Sequence, residues 1–468
     1  MSYRLISFLP LRCISLIVSF CLSVLLCFVT VGIASMTVEE EKELGDKLAQ
    51  ELQQKLEIIS DPLVKQYIAE IGRRLLKETH DTRFPYHFYV VKELEPNAFA
   101  IPGGHIFITS GLIRLVDAEG ELAGVIGHEI AHSVSRHIDK AMERAKRISL
   151  ATLAAVIAGA FLSRDAKGTG AIATSAMAMA QSLMLKYTRE NEVEADQKGT
   201  KYMISAGYDP RDMVVFLKKI YRWQRFVSPN VPTYLSTHPG VDSRITYLSD
   251  IFFNEPKPLI DHPIAAGDLK KIQIRLFIKE RGEMTGIDHF SSLVKEKPGD
   301  INALYGLGTS YIMAGRAKEA IPLLTEALKL SSDDGYIMRE LGIGYFHAKE
   351  IDKALQSLQA ALNVFPSDTT ILYYLAQAHQ EQGKWDQSLA FYRQVLEIDP
   401  QRTEIYYNLG VVYSMKDLLG PAHESFGFYF KHTGKKETAL FHFKKARKYY
   451  QDEEKRKKLD ELIREYEK

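Results

Sequence analysis

The sequence holds very little cysteine, and what it has lies at one end. The three cysteines of the 468-residue chain are Cys13, Cys21 and Cys27, so residues 28–468 contain none. A disulfide framework and a cysteine-based zinc site are therefore excluded for nearly the whole chain. Any zinc site beyond residue 27 would have to use histidine and carboxylate side chains.

Net charge is also small. The chain carries 60 Lys and Arg residues against 59 Asp and Glu residues, a net charge of +1. It shows no stripe of basic residues interleaved with aromatic ones, the pattern in which nucleic-acid binders concentrate positive charge. We therefore expect no nucleic-acid partner. The length exceeds that of one ordinary domain and predicts two or three.

Long uncharged apolar runs are rare, and the longest begins near the N-terminus. Arg4 and Arg12 precede an apolar run from Cys13 to Ala34. This order predicts that residues 1–35 are a cleaved signal peptide or an uncleaved membrane anchor, with a buried core helix as the remaining alternative. The first two interpretations both send the rest of the chain across a membrane.

Hydrophobic periodicity predicts a helical chain with one small sheet. Strand-like alternation occurs at Tyr86–Val91 and at His105–Thr109, where it is typical of a half-buried or edge strand. A proline-rich loop is expected over 226–262. The expected helices span 38–79, 119–147 and 186–207.

Two apolar stretches rich in small residues lie at 148–162 and 170–185. Each is shorter than the roughly 20 residues that a helix needs to span a bilayer. We expect helices that are buried in the domain or cap it, and a membrane hairpin is the alternative.

A repeat of 34 residues dominates the C-terminal part of the chain. Leucine recurs at one position of the repeat and a small residue at another. In register are Leu307, Leu341, Leu375 and Leu409, and then Ala320, Ala354, Ser388 and Ala422. This period is typical of tetratricopeptide (TPR) repeats, helix pairs that stack because one pair alone cannot bury its apolar face. We expect a degenerate first unit near 267–300 and a capping helix pair at 437–468.

The strongest chemical signal is the segment VIGHEIAH, which ends at His132. His128 and His132 are four residues apart, so in a helix both rings share a face and can bind one zinc ion. Zinc lowers the pKa of a water molecule to about 7. Glu129 could then take the proton as general base and pass it to the leaving amine. A surface helix with two histidines is the alternative.

A catalytic zinc needs a third protein ligand, and no histidine stands at HExxHxxGxxH spacing. His137 lies five residues past His132, where a continued helix would turn it away from the ligands. The segment RENEVEAD offers Glu192 as a ligand, with Asp196 on the same face to accept a ring N–H from a zinc-bound histidine. Arg189 could orient a carboxylate. A solvated charged helix face remains the other interpretation, and spacing does not decide between the two.

The motif HEIAH at 128–132, together with EVEAD at 192–196, resembles the M48 family of zinc endopeptidases. The segments NAFAIPGGHIFITSGL at 97–112 and THPGVDSRI at 237–245 are similar to parts of that family as well. The resemblance implies one zinc ion per chain. Its implied ligands are His128, His132 and Glu192, with Glu129 as the base.

The resemblance also implies a fold and a biological setting. We expect a mainly α protein: a zincin-like metalloprotease domain of helices and a small sheet at 36–262, then an α-solenoid of TPR repeats at 263–468. With its export signal, the chain is similar to the periplasmic M48 proteases that assist β-barrel assembly. It is then expected to degrade misfolded or stalled outer-membrane proteins. Its repeats would contact the assembly machinery or the substrates.

A substrate-binding edge strand is a further expectation from the resemblance. An extended polypeptide would add a strand to the sheet edge near residues 103–109. The residues expected at that edge are Gly103, Gly104, His105, Ile106 and Phe107.

His238 precedes Pro239, so we do not expect it on a helix. Its imidazole could fill the fourth zinc position and keep the enzyme latent, or it could stabilise the oxyanion of the tetrahedral intermediate. A structural capping role is the third possibility. Arg244, six residues on, could anchor this loop on a carboxylate or assist the oxyanion.

Three functions are consistent with the sequence. The first is an exported zinc endopeptidase whose TPR repeats bind unfolded or misfolded polypeptides. The second is mainly a chaperone or scaffold of outer-membrane protein assembly with latent protease activity. The third is a membrane-anchored M48 protease. Membrane contact would be made at most through residues 1–35 or 148–185.

Overall fold

The structure is a computed structural model that describes residues 36–137, 187–226, 233–253 and 266–467, with positions 150–152, 155 and 157 between them. The predicted export signal lies outside these residues. So do nearly all of the two apolar stretches and the domain boundary predicted at residue 262. Within the described ranges, no helix is both long enough and apolar enough to cross a membrane.

The first unit combines helices with a small sheet. Its helices are α1 (Val38–Lys55), α2 (Pro62–Lys77), α3 (Ser110–Leu115), α4 (Glu119–Val134), α5 (Arg189–Ser205), α6 (Arg211–Phe226), α7 (Thr233–Thr237) and α8 (Val241–Phe253). Its strands are β1 (His87–Val91), β2 (Ala98–Ile101) and β3 (His105–Thr109). The helical region expected over 38–79 thus consists of two helices. The second begins at Pro62 because Asp61 caps it, accepting hydrogen bonds from two backbone N–H groups.

Two predicted boundaries in this unit are wrong. The helix expected over 119–147 ends at Val134, because Arg136 adopts a left-handed backbone conformation with a φ of 51°. The loop expected over 226–262 contains α7 and α8, and His238 lies in the bend between them. The proline and glycine of this bend separate two helices and do not mark one long loop.

The sheet has the strand order β1-β3-β2, which places β3 in the centre. β3 pairs in parallel with β1 and antiparallel with β2, and all five of its residues are buried. The expected substrate edge is therefore wrong, because a strand with partners on both sides has no free backbone groups to offer. The residues expected there lie in or just before this central strand; they are Gly103, Gly104, His105, Ile106 and Phe107.

Gly103 and Gly104 are explained by the turn between β2 and β3. Their φ angles of 77° and 82° lie in the left-handed region that favours glycine. Helix α1 packs on this turn so closely that a Cβ at Gly45 would lie 2.1 Å from the Pro102 carbonyl oxygen. These glycines therefore shape the backbone that supports the sheet.

The second unit is a solenoid of helix pairs, which confirms the mainly α fold class. Its helices are α9 (Leu269–Arg281), α10 (Glu283–Glu296), α11 (Ile301–Met313), α12 (Ala317–Leu330), α13 (Gly335–His347), α14 (Ile351–Val364), α15 (Thr369–Glu381), α16 (Trp385–Ile398), α17 (Thr403–Met415), α18 (Leu419–His432), α19 (Lys436–Tyr449) and α20 (Glu453–Glu467). The four central pairs begin at the predicted period of 34 residues, with one further pair on each side. Asp300, Asp334 and Asp368 cap the first helices of three successive pairs.

Five buried charged side chains join the two units. Arg275 of α9 binds the Asp61 carboxylate at 2.6 Å and the Glu340 carboxylate of α13 at 2.6 Å. Arg339 contacts Glu340 and also donates to Asp368 at 2.7 Å. All five side chains belong to residues that are at most 5% exposed. Burial raises the pKa of Asp61, but the charges of Arg275 and Arg339 outweigh burial and hold that pKa well below its usual range.

Removing the central cation of this network should be costly. In an Arg275→Met variant, Asp61 and Glu340 lose the cation that both contact, and we expect the free energy of unfolding to fall by about 3–5 kcal/mol. The pair Arg316–Glu319, whose side chains are 44% and 45% exposed, gives a matched control. Arg316→Met should cost less than about 1 kcal/mol. Urea denaturation measures both variants, and equal effects would contradict the role of the network.

Candidate metal centre

Helix α4 holds the HEIAH motif in the interior of the first unit. His128, Glu129 and His132 are each 0% exposed, so the surface-helix alternative is wrong. The Nε2 atoms of the two histidines lie 2.9 Å apart, as rings one helical turn apart can. Gly127 lets α5 pack closely on this helix, since a Cβ there would lie 3.2 Å from the Gly199 carbonyl oxygen.

Helix α5 brings Glu192 to these rings. Its Oε1 lies 3.3 Å from His132 Nε2, and its Oε2 lies 3.5 Å from His128 Nε2. Glu192 is 1% exposed, whereas its sequence neighbours Val193 and Glu194 face solvent. The helix therefore has features of both interpretations that the sequence left open, a ligand-bearing helix and a solvated charged face. One face is charged and solvated, and the other carries a carboxylate into the histidine cluster.

His238 joins the cluster from the bend after α7. Its Nδ1 lies 3.3 Å from His128 Nε2 and 3.2 Å from Glu192 Oε1. Tyr234 of α7 stacks on the His238 ring with the centroids 4.6 Å apart, which fixes the plane of that ring. One ligand atom from each of four residues lies within 4.8 Å of the others: His128, His132, Glu192 and His238.

The donor set fits a divalent cation. The outer nitrogens of the two α4 histidines have partners, since His128 Nδ1 lies 2.8 Å from Asp196 and His132 Nδ1 lies 2.9 Å from His137. With protons on these outer nitrogens, the two Nε2 lone pairs face each other beside the Glu192 carboxylate, and a cation among them removes the repulsion. Two imidazoles and one carboxylate are a common ligand set of catalytic zinc. The residues that could hold the ion are His128, His132 and Glu192.

Arg244 of α8 holds the carboxylates behind the cluster. Its guanidinium donates to the two Asp196 oxygens at 2.6 and 2.8 Å and to Glu192 Oε2 at 2.6 Å. Tyr247, three residues on, donates to Asp196 as well. Burial raises the pKa of Asp196, but Arg244 and His128 outweigh burial and hold that pKa well below its usual range. Asp196 therefore stays ionised and can orient the His128 ring.

Arg189 does not take the role that the sequence suggested for it. Its side chain is exposed at the start of α5, and the described contacts of Glu192 and Asp196 do not include it. The cation that orients both carboxylates is Arg244, which lies 52 residues past Glu192 in the chain. Three-residue spacing would allow Arg189 to approach Glu192, but its side chain is exposed to solvent in the structure.

Glu129 has the freedom that a general base needs. Both of its oxygens are buried, and neither has a hydrogen-bond partner among the described residues. Its Oε1 lies 3.5 Å from His238 Nε2, another buried atom without a hydrogen bond in the described part of the chain. A buried carboxylate is costly to leave unsatisfied. A water molecule between Glu129 and the metal centre would satisfy it.

Sequence reasoning missed the aromatic walls of the centre. Tyr187 stacks on His132 with ring centroids 3.7 Å apart. Burial, with the charges of Glu129 and Glu192, raises the pKa of Tyr187 well above its usual value, so the phenol keeps its proton. Tyr187 lies only five residues before Glu192 in the sequence, and this closeness could have marked it as a neighbour of the metal centre. The prediction that His137 turns away from His132 is also wrong, because α4 ends before the turn that would have separated them.

The role of Arg244 can be tested through metal affinity. Arg244→Met leaves Glu192 and Asp196 without their shared cation, and we expect zinc affinity to fall by about 10- to 100-fold. Arg189→Met is the matched control, because that arginine is exposed on the same carboxylate-bearing helix, and it should leave affinity unchanged. Competition with a chromogenic chelator measures both. A loss of similar size in the two variants would show that the buried contacts are not what matters.

Comparisons with known proteins match two parts of the chain to known families. Residues 62–251 match the profile of peptidase family M48, and residues 311–370 and 381–417 match tetratricopeptide-repeat profiles. The chain is also similar to the crystal structure of MamA, at 22% identity and a TM-score of 0.32, over 34% of this chain and 94% of that one.

Two relatives carry names that refer to β-barrel assembly. A β-barrel assembly-enhancing protease of Yersinia pestis is 36% identical over 249 residues, which are 53% of this chain and 49% of that protein. A putative protein of the same name from Vibrio cholerae is 31% identical over 319 residues, 66% of this chain and 64% of its own length. The chain thus spans about half to two thirds of these relatives. It contains a peptidase family M48 domain followed by tetratricopeptide repeats.

Proposed function

We propose that this chain is a zinc-dependent endopeptidase that cleaves unfolded or misfolded polypeptide. The observation that carries the proposal is the buried cluster of His128, His132 and Glu192 beside Glu129, whose oxygens have no hydrogen-bond partner among the described residues. A zinc ion held there would polarise the scissile carbonyl and lower the pKa of the attacking water.

The residues of the chain then move the proton and hold the geometry. Glu129 takes a proton from the attacking water and passes it to the leaving amine, because its oxygens are not engaged elsewhere in the described residues. Arg244 and Asp196 keep His128 and Glu192 in a fixed orientation throughout the reaction. The burial of this assembly keeps bulk water away and strengthens each electrostatic contact.

We further propose that His238 closes the centre in the resting enzyme. Catalytic zinc keeps one coordination position open, and His238 Nδ1 lies within hydrogen-bonding distance of both His128 and Glu192. Substrate would then have to displace the bend between α7 and α8. The alternative is that His238 donates from Nε2 to the oxyanion, and the lack of a hydrogen bond at that atom in the described residues favours it.

The TPR unit would supply a polypeptide-binding surface. Tyr407 and Phe441 stand at the same position of consecutive units, 34 residues apart, and are 47% and 53% exposed. Exposed aromatic residues at a fixed repeat position form an apolar surface along the solenoid that suits an extended chain. A chaperone or scaffold could use the same surface, so the exposed aromatic residues support that alternative function as well.

The names of the relatives suggest the biological setting. Both are β-barrel assembly-enhancing proteases by name, and residues 1–35 have the composition of an export signal. We propose that the protein works in the periplasm on outer-membrane β-barrel proteins that stall in assembly. Their assembly machinery would be the partner of the TPR unit.

The proposed base can be tested separately from metal binding. Glu129→Gln should lower the rate of cleavage of an unfolded protein such as casein by about 10²- to 10⁴-fold, because the amide cannot accept the proton. Zinc content and stability should stay as in the parent protein. Glu190→Gln, at an exposed position of α5, is the control and should cleave normally. A Glu129→Gln variant that fully supports outer-membrane protein maturation would favour the scaffold function.

Replacing His238 distinguishes its two proposed roles. If its ring closes the metal centre, His238→Ala opens the fourth position and proteolysis of an unfolded substrate should increase. If its ring stabilises the oxyanion, the same variant should lose activity. The measurement is the initial rate of cleavage at equal zinc occupancy.

A further inference from the structure

A second histidine lies directly behind one of the candidate metal ligands. His132 Nδ1 and His137 Nδ1 are 2.9 Å apart, with the ring planes inclined at 73°. On its other side, His137 Nε2 lies 3.2 Å from Glu194 Oε2. The His137 side chain is 5% exposed, whereas Glu194 is 47% exposed. A continuous chain of polar contacts therefore runs from the buried centre to the surface.

The end of α4 brings His137 into this place. Arg136 adopts a φ of 51°, a conformation that residues other than glycine rarely take. Its side chain is held by Glu41 at 2.8 Å and by the Met36 carbonyl oxygen at 2.6 Å, both from the segment that begins α1. The chain then doubles back, and the His137 N–H donates to the His132 carbonyl oxygen at 3.1 Å.

Hydrogen-bond chemistry fixes which atom donates and which accepts in each of these contacts. An ionised Glu194 can only accept, so the proton of a neutral His137 lies on Nε2 and its Nδ1 is an acceptor. His132 must then donate from Nδ1, which leaves the Nε2 lone pair pointing into the cluster of His128 and Glu192. That is the tautomer a metal ligand needs.

We propose that His137 is a positioning residue of the metal centre, which fixes the tautomer and orientation of His132 and is itself oriented by Glu194. The inference rests on the proposed metal site. In this arrangement the two histidines of α4 are oriented by different kinds of side chain. His128 is backed by the buried carboxylate of Asp196, and His132 is backed by a neutral imidazole whose carboxylate lies at the surface.

Surface charges complete the outer end of this arrangement. Lys198 contacts Glu194 at 2.7 Å and donates to the Ser135 hydroxyl at 2.9 Å. These contacts hold the carboxylate over the end of α4, where His137 can reach it.

The test compares two replacements of His137 in the full-length chain. His137→Gln keeps a side-chain oxygen that can accept from His132, whereas His137→Leu fills similar space and accepts nothing. We expect the leucine variant to bind zinc about 10- to 100-fold more weakly, and the glutamine variant to stay within about threefold of the parent protein. Zinc affinity is measured by competition with a chromogenic chelator, and urea denaturation of the zinc-free proteins checks that both variants fold.

Other results would overturn the proposal. Equal affinity in the leucine variant and the parent protein would show that His132 needs no acceptor. Equal loss in both variants would show that an acceptor at this position does not support His132, which would overturn the role assigned to His137 Nδ1. Neither result touches the proposed function as long as the parent protein binds zinc and cleaves. A parent protein that binds no zinc would end the proposed function and this inference together.

Discussion

The candidate centre depends on one buried guanidinium, that of Arg244, which pairs with two buried carboxylates. Glu192 and Asp196 are both buried, one turn apart on the same helix, and two carboxylates so placed would repel each other and resist ionisation. Arg244 contacts both, so each can keep its charge. Asp196 then orients His128 across the gap between α5 and α4. The contacts of three helices therefore meet on a single side chain, which lies in the THPGVDSRI segment at 237–245.

The parts of the molecule that the sequence predicted are those in which the deciding residues are close along the chain. His128 and His132 share a face because any helix places them so, and the repeats stack because each carries the same apolar pattern. Strand order is different. Alternation at His105–Thr109 is the same in an edge strand and in a central strand, so it could not show that β3 lies between two others.

Spacing along the chain could not choose among long-range partners for the same reason. Spacing suggested Arg189 as a residue that orients a carboxylate, but its side chain is exposed in the first turn of α5. Arg244 was expected to anchor its loop on a carboxylate, and it contacts both Glu192 and Asp196. The sequence at the end of α4 contains no glycine or proline that would predict the end of the helix. Arg136 ends the helix because Glu41 and Met36 hold its side chain, and those residues lie about a hundred positions earlier in the chain. Such tertiary contacts override local preference.

The network of Asp61 and Arg275 limits how the protease domain and the repeats could be recombined with domains of other proteins. A protease domain moved away from these repeats would keep Asp61 without its cation, and the repeats moved elsewhere would keep Arg275 and Glu340 in a new setting. A successful recombination would have to carry residues from both sides of the join. The network therefore makes the stability of each unit depend on residues of the other unit.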